Sequence, residues 1–393
     1  MATDSDALLT VPMPRIASAQ CYVLEYSLGS YKLSYGTINS INNVVLKLTD
    51  VEGTVGWGEA NAQQPFTDES VEEVATILRD ELLPLLLEQQ SLDPVKIDEL
   101  LDQHRKNHLI AKGAITMALL DMQGKRHGIP AAKLLGNIVH HSLPVLWPLS
   151  QQTPEEDIVI IDQKRVEGFK TFMLKMGQRD ATGGANIELE VARVSALKAH
   201  YGDAISFIAD ANTGWTTAET EQFIQGIKSS DIAFLEQPTA KSDVESLAHL
   251  KSEFPNTFLS ADESLTSFSQ AQALISAQAC SIFSIKSSKN GGPLRARAIC
   301  DLADRNGVKL YMNSMLELGI TQAASLQLAV TRSNLADAGH AYMSTLRLSG
   351  DPTNFSSFVS EGVVRLPEAS GLGIEVDEAK LRKLVVEEFT VTR

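Results

Sequence analysis

Ile205-Ser206-Phe207-Ile208-Ala209-Asp210-Ala211-Asn212, then Ile232-Ala233-Phe234-Leu235-Glu236-Gln237-Pro238, then Phe258-Leu259-Ser260-Ala261-Asp262-Glu263-Ser264: one pattern recurs through residues 205–264. Each is a short apolar run closing on a carboxylate, and Asp210, Glu236 and Asp262 follow one another at equal intervals of 26 residues. Apolar runs of that length bounded by polar turn residues read as buried strands. An interval of 26 residues holds one strand, one helix and two loops. Successive parallel strands would then deliver three acids to one rim of a barrel.

Working outward, further strands are expected near residues 143–149, 171–176, 280–286, 308–313 and 341–346, with amphipathic helices between them. With the three acid-ending runs these make eight, which points to a barrel. An open doubly wound sheet has similar local patterns, but it normally has fewer strands and gathers its key residues at one switch point. Here polar residues stand at the carboxyl ends of nearly every strand, which favours closure. Upstream, Asn43-Val44-Val45-Leu46-Lys47-Leu48 leads through Asp50-Val51-Glu52-Gly53 into Val55-Gly56-Trp57-Gly58-Glu59-Ala60, the signature of a hairpin. Apolar positions spaced by three and four then predict helices over 70–90, 97–104 and 111–127, the last closed by Gly128-Ile129-Pro130. Residues 15–136 are therefore expected as an α+β capping domain, 137–355 as the barrel, and 356–393 as a segment returning to the cap. Residues 1–14 read as a flexible tail.

At 393 residues the chain exceeds the ~250 of a bare barrel by enough for that added domain. A formal net charge of −15, with no run of five or more Lys/Arg, argues against nucleic acid and anionic membranes as partners. No stretch approaches the ~20 apolar residues of a membrane span. Cys21, Cys280 and Cys300 are odd in number and widely separated, so neither a disulfide framework nor a zinc knuckle is indicated. Asp4 and Asp6 stand where a secretory signal would be basic, and a cytoplasmic protein is expected.

A carboxylate directly after apolar strand residues is costly unless it is neutralised or ligated. Taken singly, each acid is more often a helix cap or a loop residue. Taken together, three carboxylates at one rim suit a hard divalent cation such as Mg2+. A lysine lies on either side of the set, Lys175 in Phe172-Met173-Leu174-Lys175 and Lys286 in Phe283-Ser284-Ile285-Lys286. Either lysine alone could be a structural ion pair. Strands second and sixth in a barrel lie on opposite sides of its mouth, so the two amines could reach one bound carbon from both faces. Burial near a cation lowers an amine's pKa, as a general base near neutral pH requires.

Gly168-Phe169-Lys170-Thr171-Phe172-Met173-Leu174-Lys175-Met176-Gly177, Asp210-Ala211-Asn212, Glu236-Gln237-Pro238, Asp262-Glu263-Ser264 and Lys286-Ser287-Ser288-Lys289-Asn290-Gly291-Gly292 resemble the lysine and metal-ligand motifs of the enolase superfamily. Within it they resemble the muconate-lactonizing-enzyme subgroup of the mandelate racemase/muconate lactonizing enzyme family. The likeness extends to Gly56-Trp57-Gly58-Glu59-Ala60, to residues 118–125 and to Met315-Leu316-Glu317, so it covers nearly the whole chain. It implies a capped (β/α)7β barrel, a Mg2+ ion (Mn2+ as the alternative) on Asp210, Glu236 and Asp262, acid/base roles for Lys175 and Lys286, and a homo-oligomer. Leu310-Tyr311-Met312-Asn313 lacks the strand-seven histidine of the mandelate-racemase subgroup.

One departure from the motif is Met173, which stands where the subgroup usually has the first of two lysines. Strand alternation turns Met173 and Lys175 to the same side, so a positive neighbour of Lys175 is missing. Either Lys175 is tuned by the metal and Lys286 alone, or it serves as acid or electrostatic partner. Asn212 and Glu263 are candidate orienting partners of the ligands and lysines. Glu317 is a candidate for a place near substrate or lysine, or for a helix N-cap. Ser344, on the expected eighth strand, is a candidate substrate contact. Residues 27–38, with Gly29, Tyr31, Tyr35 and Gly36, read as a lid or as a solvated hairpin end.

The chemistry this implies is removal of the α-proton from a small carboxylate bound at the metal. Racemisation or epimerisation of an amino-acid-type carboxylate is the foremost outcome. Cycloisomerisation of the muconate type and β-elimination from a hydroxy-carboxylate are the alternatives.

Overall fold

The computed structural model describes residues 4–33, 36–91, 93–150, 152–177 and 184–393, and the side chains of residues 30–33 fall outside that description. The protein is an α/β fold: an N-terminal capping domain beside a curled parallel sheet. The cap sheet is antiparallel in the order Val385–Thr392, Ile16–Leu33, Gly36–Asp50, Val55–Asn61. The carboxyl-terminal strand pairs with the first cap strand from Ser18↔Thr392 to Leu24↔Val385, so the last residues of the chain lie on the cap.

Alternation buries Ala19, Cys21, Val44, Leu46 and Leu48 with the helical residues Val74, Leu78, Leu86, Ala114 and Ala118. The helix read over residues 70–90 is present with one π turn, Leu78–Leu82, inside it. It starts at Ser70, whose hydroxyl accepts from Glu73 N while the Glu73 carboxylate accepts from Ser70 N. Helix Leu109–His127 lies hard against the third cap strand. A Cβ built on Gly58 would stand 2.0 Å from the Ala114 carbonyl oxygen, and one on Gly56 2.2 Å from that of Ala118. Only glycine permits this approach. Gly58→Ala is expected to lower stability by about 1–3 kcal/mol, because backbone rather than a flexible side chain must yield. Chemical denaturation checks this, and an unchanged midpoint at equal m-value would show that the helix can stand off the sheet at no cost.

The amino terminus differs from the loose tail expected. Asp4–Leu9 is a short helix with Leu9 buried. Gln123 Nε2 donates to the Leu8 and Val11 carbonyls at 2.7 and 3.0 Å, and Arg297 pairs with Asp6 at 2.7 Å. The segment is short, yet tertiary partners fasten it.

Seven parallel strands follow in chain order, each the neighbour of the next: Leu146–Leu149, Thr171–Lys175, Ser206–Asp210, Phe234–Glu236, Leu259–Ala261, Ile282–Ile285 and Lys309–Met312. The eighth strand expected over 341–346 is not formed. Extended chain before it does the bonding instead: Ala336 N donates to Leu310 O and Ala341 N to Met312 O, while Leu146 N donates to His340 O. Ser344–Arg347 is then a single helical turn. Backbone groups of residues 334–341 are thus consumed by both outer strands of the sheet, and the apolar residues beyond them are released into a turn. Cys21, Cys280 and Cys300 are free and buried. No described helix is long and apolar enough to cross a membrane.

Candidate active site

The register of the parallel sheet sets the acids side by side. Lys175 is opposite Asp210 and Asp210 opposite Glu236, each the last residue of its strand. Glu236 is opposite Ser260, so Asp262 stands just beyond the next strand end and Lys286 just beyond the sixth. Neighbouring strands are ~4.8 Å apart, which brings these charges within a few ångströms of one another. All three acids are fully buried.

Each outer acid is met by lysine. Lys175 Nζ bonds Asp210 Oδ2 and reaches Asn212 Oδ1 at 3.2 Å. Asn212 in turn donates from Nδ2 to Glu263 at 3.2 Å, and its backbone N donates to Asp210 Oδ1. At the far end Lys286 Nζ donates to Asp262 Oδ2 at 2.7 Å and Lys289 Nζ to Asp262 Oδ1 at 2.6 Å. Burial works to raise the Asp262 pKa, but the two ammoniums outweigh it and hold the group at about 2. Gln237 fixes this turn by accepting from Asp262 N and Ser264 N on its amide oxygen.

Glu236, between the outer acids, has no ion-pair partner among the described residues. Its Oε1 accepts from Ser284 Oγ at 2.8 Å and Asn313 Nδ2 at 2.6 Å, while Oε2 is buried and has no hydrogen-bond partner among the described residues. Burial and the charges of Asp210 and Asp262 push its pKa well above the usual carboxylate range. Burial and the same two acids raise Glu263 to about 8.

As the side chains stand, no described group of three acidic, histidine or cysteine residues is gathered into a finished ion cage, since Asp210 and Asp262 each direct oxygen onto an ammonium. The donor set nevertheless fits a hard divalent cation. It is made of carboxylates in register on adjacent strands, and the middle one presents a buried oxygen lacking any donor.

A pocket opens above these strand ends. Met173, Lys175, Asn212 and Lys286 line it, with Leu146 and Pro148 from the first strand, Asn313 to Leu316 after the seventh, and Ala341 and Met343. The cap contributes Ile38, Gln63 and Phe66. Two candidates read from the sequence lie elsewhere. Glu317 is buried in its own turn, accepting from Ser314 Oγ and Gln322 Nε2, and does not line the pocket. The helix end that it was read to cap is served by Glu59 of the cap, which accepts from Leu318 N at 2.8 Å and Thr321 N at 2.9 Å and is pushed by burial to about 8. Ser344 is buried on a helical turn rather than a strand and does not line the pocket either. The backbone of Tyr31 pairs with Ile38, while its side chain and all of Tyr35 lie outside the described residues.

Lys289, Ser284, Asn313 and Phe66 were not singled out from the sequence. Lys289 had a local signal, three residues after Lys286 in a turn, and Phe66 had none.

Residues 20–136 match the family described as mandelate racemase/muconate lactonizing enzyme, N-terminal domain, and residues 160–380 match the one described as enolase C-terminal domain-like. The chain is 28% identical to N-succinyl-L-Arg/Lys racemase of Bacillus cereus, over 95% of this chain and 98% of that protein. It is 32% identical to muconate cycloisomerase 1 of Acinetobacter baylyi, over 90% of this chain and 95% of that protein. The crystal structure of the Bacillus cereus racemase matches with a TM-score of 0.90 at 27% identity, covering 96% of this chain and 100% of that one. The chain belongs to the enolase superfamily, in its muconate-lactonizing-enzyme subgroup, and is an isomerase.

Proposed function

We propose that this isomerase removes the α-proton of a small carboxylate and returns a proton to the other face, racemising or epimerising an amino-acid-type substrate. One observation carries the reading: Lys175 and Lys286 both line the pocket, yet they bond acids at opposite ends of the row, Asp210 and Asp262. A substrate carbon between them has an amine toward each face. A divalent cation on Asp210, Glu236 and Asp262, Mg2+ or Mn2+, would supply the charge that stabilises the enediolate as it forms.

The chain's own residues do the rest. Asn212, tied to both Lys175 and Glu263, orients the first amine, and Asp262 with Lys289 orients the second. Met173 turns an apolar group to the pocket beside Lys175, so the substrate is held there by shape rather than charge. We read residues 334–341, bonded to both outer strands, as closing a (β/α)7β barrel around the row. The muconate cycloisomerase relative supports a second reading, in which one lysine delivers or removes the single proton that cycloisomerisation needs.

Incubating N-acyl amino acids, dipeptides and hydroxy-acids with enzyme and Mg2+ in D2O separates these readings. Uptake of α-deuterium from both enantiomers of one compound, abolished by chelator, is the expected result. Folded, metal-supplied enzyme that labels none of these compounds but cyclises an added unsaturated diacid, with one deuterium entering the lactone, would establish the second reading instead.

A further inference from the structure

Phe66 sits in the loop that leaves the third cap strand, Val55–Asn61. This loop is moored on both sides of the pocket. Asn61 N donates to Ser288 Oγ at 3.0 Å, Gln63 Nε2 donates to the Met315 carbonyl, and Asp68 pairs with Lys241 at 2.6 Å. Within the loop, Thr67 N donates to Gln63 O and Gln63 N to Thr67 Oγ1, each at 2.8 Å. So held, the half-buried Phe66 ring lies with its centroid 3.9 Å from Lys286 Nζ and 5.6 Å from Lys289 Nζ. The same Lys286 ammonium donates to Asp262 at 2.7 Å.

The ammonium is therefore clamped between a carboxylate and an aromatic face. A ring face attracts a cation through its quadrupole and, unlike water, cannot follow the amine if it swings away. An aliphatic residue of similar bulk would fill the space without that attraction. The lysine stem has four rotatable bonds, and Asp262 alone restrains only the bonded hydrogen. The ring restricts the approach from the cap side.

Resting on the proton-transfer reading above, the geometry points to Phe66 as a positioning residue for Lys286, through which docking of the cap prepares one of the two amines. Among the contacts described it touches Lys286 and Lys289 and not Lys175 or Asp210, so its effect belongs to one direction of the reaction.

The test measures α-deuterium exchange from each enantiomer separately, with wild type, Phe66→Leu, Phe66→Trp and, as reference, Lys286→Met. Phe66→Leu is expected to slow by about tenfold the enantiomer that Lys286→Met silences, chiefly in kcat, and to leave the other within about twofold. Phe66→Trp, which keeps the ring face, is expected to recover most of the loss. Thermal midpoints confirm that the variants fold. Equal losses for both enantiomers, no loss at all, or a tryptophan variant as slow as the leucine variant would overturn the inference while leaving the proposed reaction intact. Wild type that exchanges neither enantiomer would overturn the proposed reaction, and this inference with it.

Discussion

Lys286→Met is expected to abolish racemisation and to silence α-deuterium exchange from one enantiomer, while the other enantiomer still exchanges through Lys175. The loss should reach ~10²–10⁴-fold, the range that a positioned general acid or base contributes. Methionine keeps most of the apolar stem of lysine and removes the ammonium, and with it the contact to the Phe66 ring face. Asp262 retains Lys289 at 2.6 Å, which keeps that carboxylate paired in the variant. The readout is therefore specific to proton transfer. Proton NMR of each pure enantiomer in D2O gives both rates. Equal exchange of the two enantiomers in the folded variant would remove Lys286 from the chemistry, and loss of both would mean that its charge serves binding rather than transfer.

The second large effect concerns Glu236 and inverts in sign with the metal. Glu236 is buried between Asp210 and Asp262 in register, and its only described donors are neutral, Ser284 and Asn313. Burial first, and then the two acids, raise its pKa far above the usual range, so its ionised form opposes folding. In the unfolded chain the same group ionises near its ordinary value of ~4.3. As pH rises above that value the unfolded state sheds its proton while the folded state keeps it, and stability falls.

Glu236→Gln removes the ionisable group but keeps the shape and an acceptor for Ser284 and Asn313. Without metal the variant should melt higher than wild type, by a margin that widens as pH rises from the ordinary carboxylate range. With Mg2+ the order should reverse. Wild type gains ~2.7 kcal/mol at a free cation concentration one hundred times Kd, and a variant lacking the central ligand gains little. Calorimetry at several Mg2+ concentrations measures both arms. An identical Mg2+-induced shift in the two proteins would exclude Glu236 as a ligand.

Much of the architecture could be read locally. Parallel strands are buried on both faces, so they are continuous apolar runs, and a carboxylate that ends such a run is conspicuous. That is why Asp210 and Glu236 could be placed as last residues of strands from periodicity alone, and why alternation could put Met173 on the side of Lys175. Residues 341–346 show where the same reasoning gives out. Their apolar pattern matches a strand, yet the hydrogen-bonding positions beside both outer strands are already taken by residues 334–341. The competition is settled by a neighbour in space. Glu317 likewise has the right position to cap the helix that follows it, but it is used by Ser314 and Gln322, and Glu59 from the cap takes the helix end.

Residue order and hydrophobic pattern determined that apolar strands, several ending in acids or lysines, would succeed one another in a parallel sheet, with a cap sheet and helices before them, but they offered eight strands where seven form. These are consequences of backbone geometry repeating every two or 3.6 residues, a property each segment carries by itself. Only the tertiary structure decided which ammonium meets which acid, that Glu236 is left with a bare oxygen, and that Phe66 roofs Lys286 from 220 positions earlier in the chain. Those pairings depend on sheet register and on how the cap seats over the strand ends, where long side chains choose among several partners of similar strength. No local pattern encodes that choice.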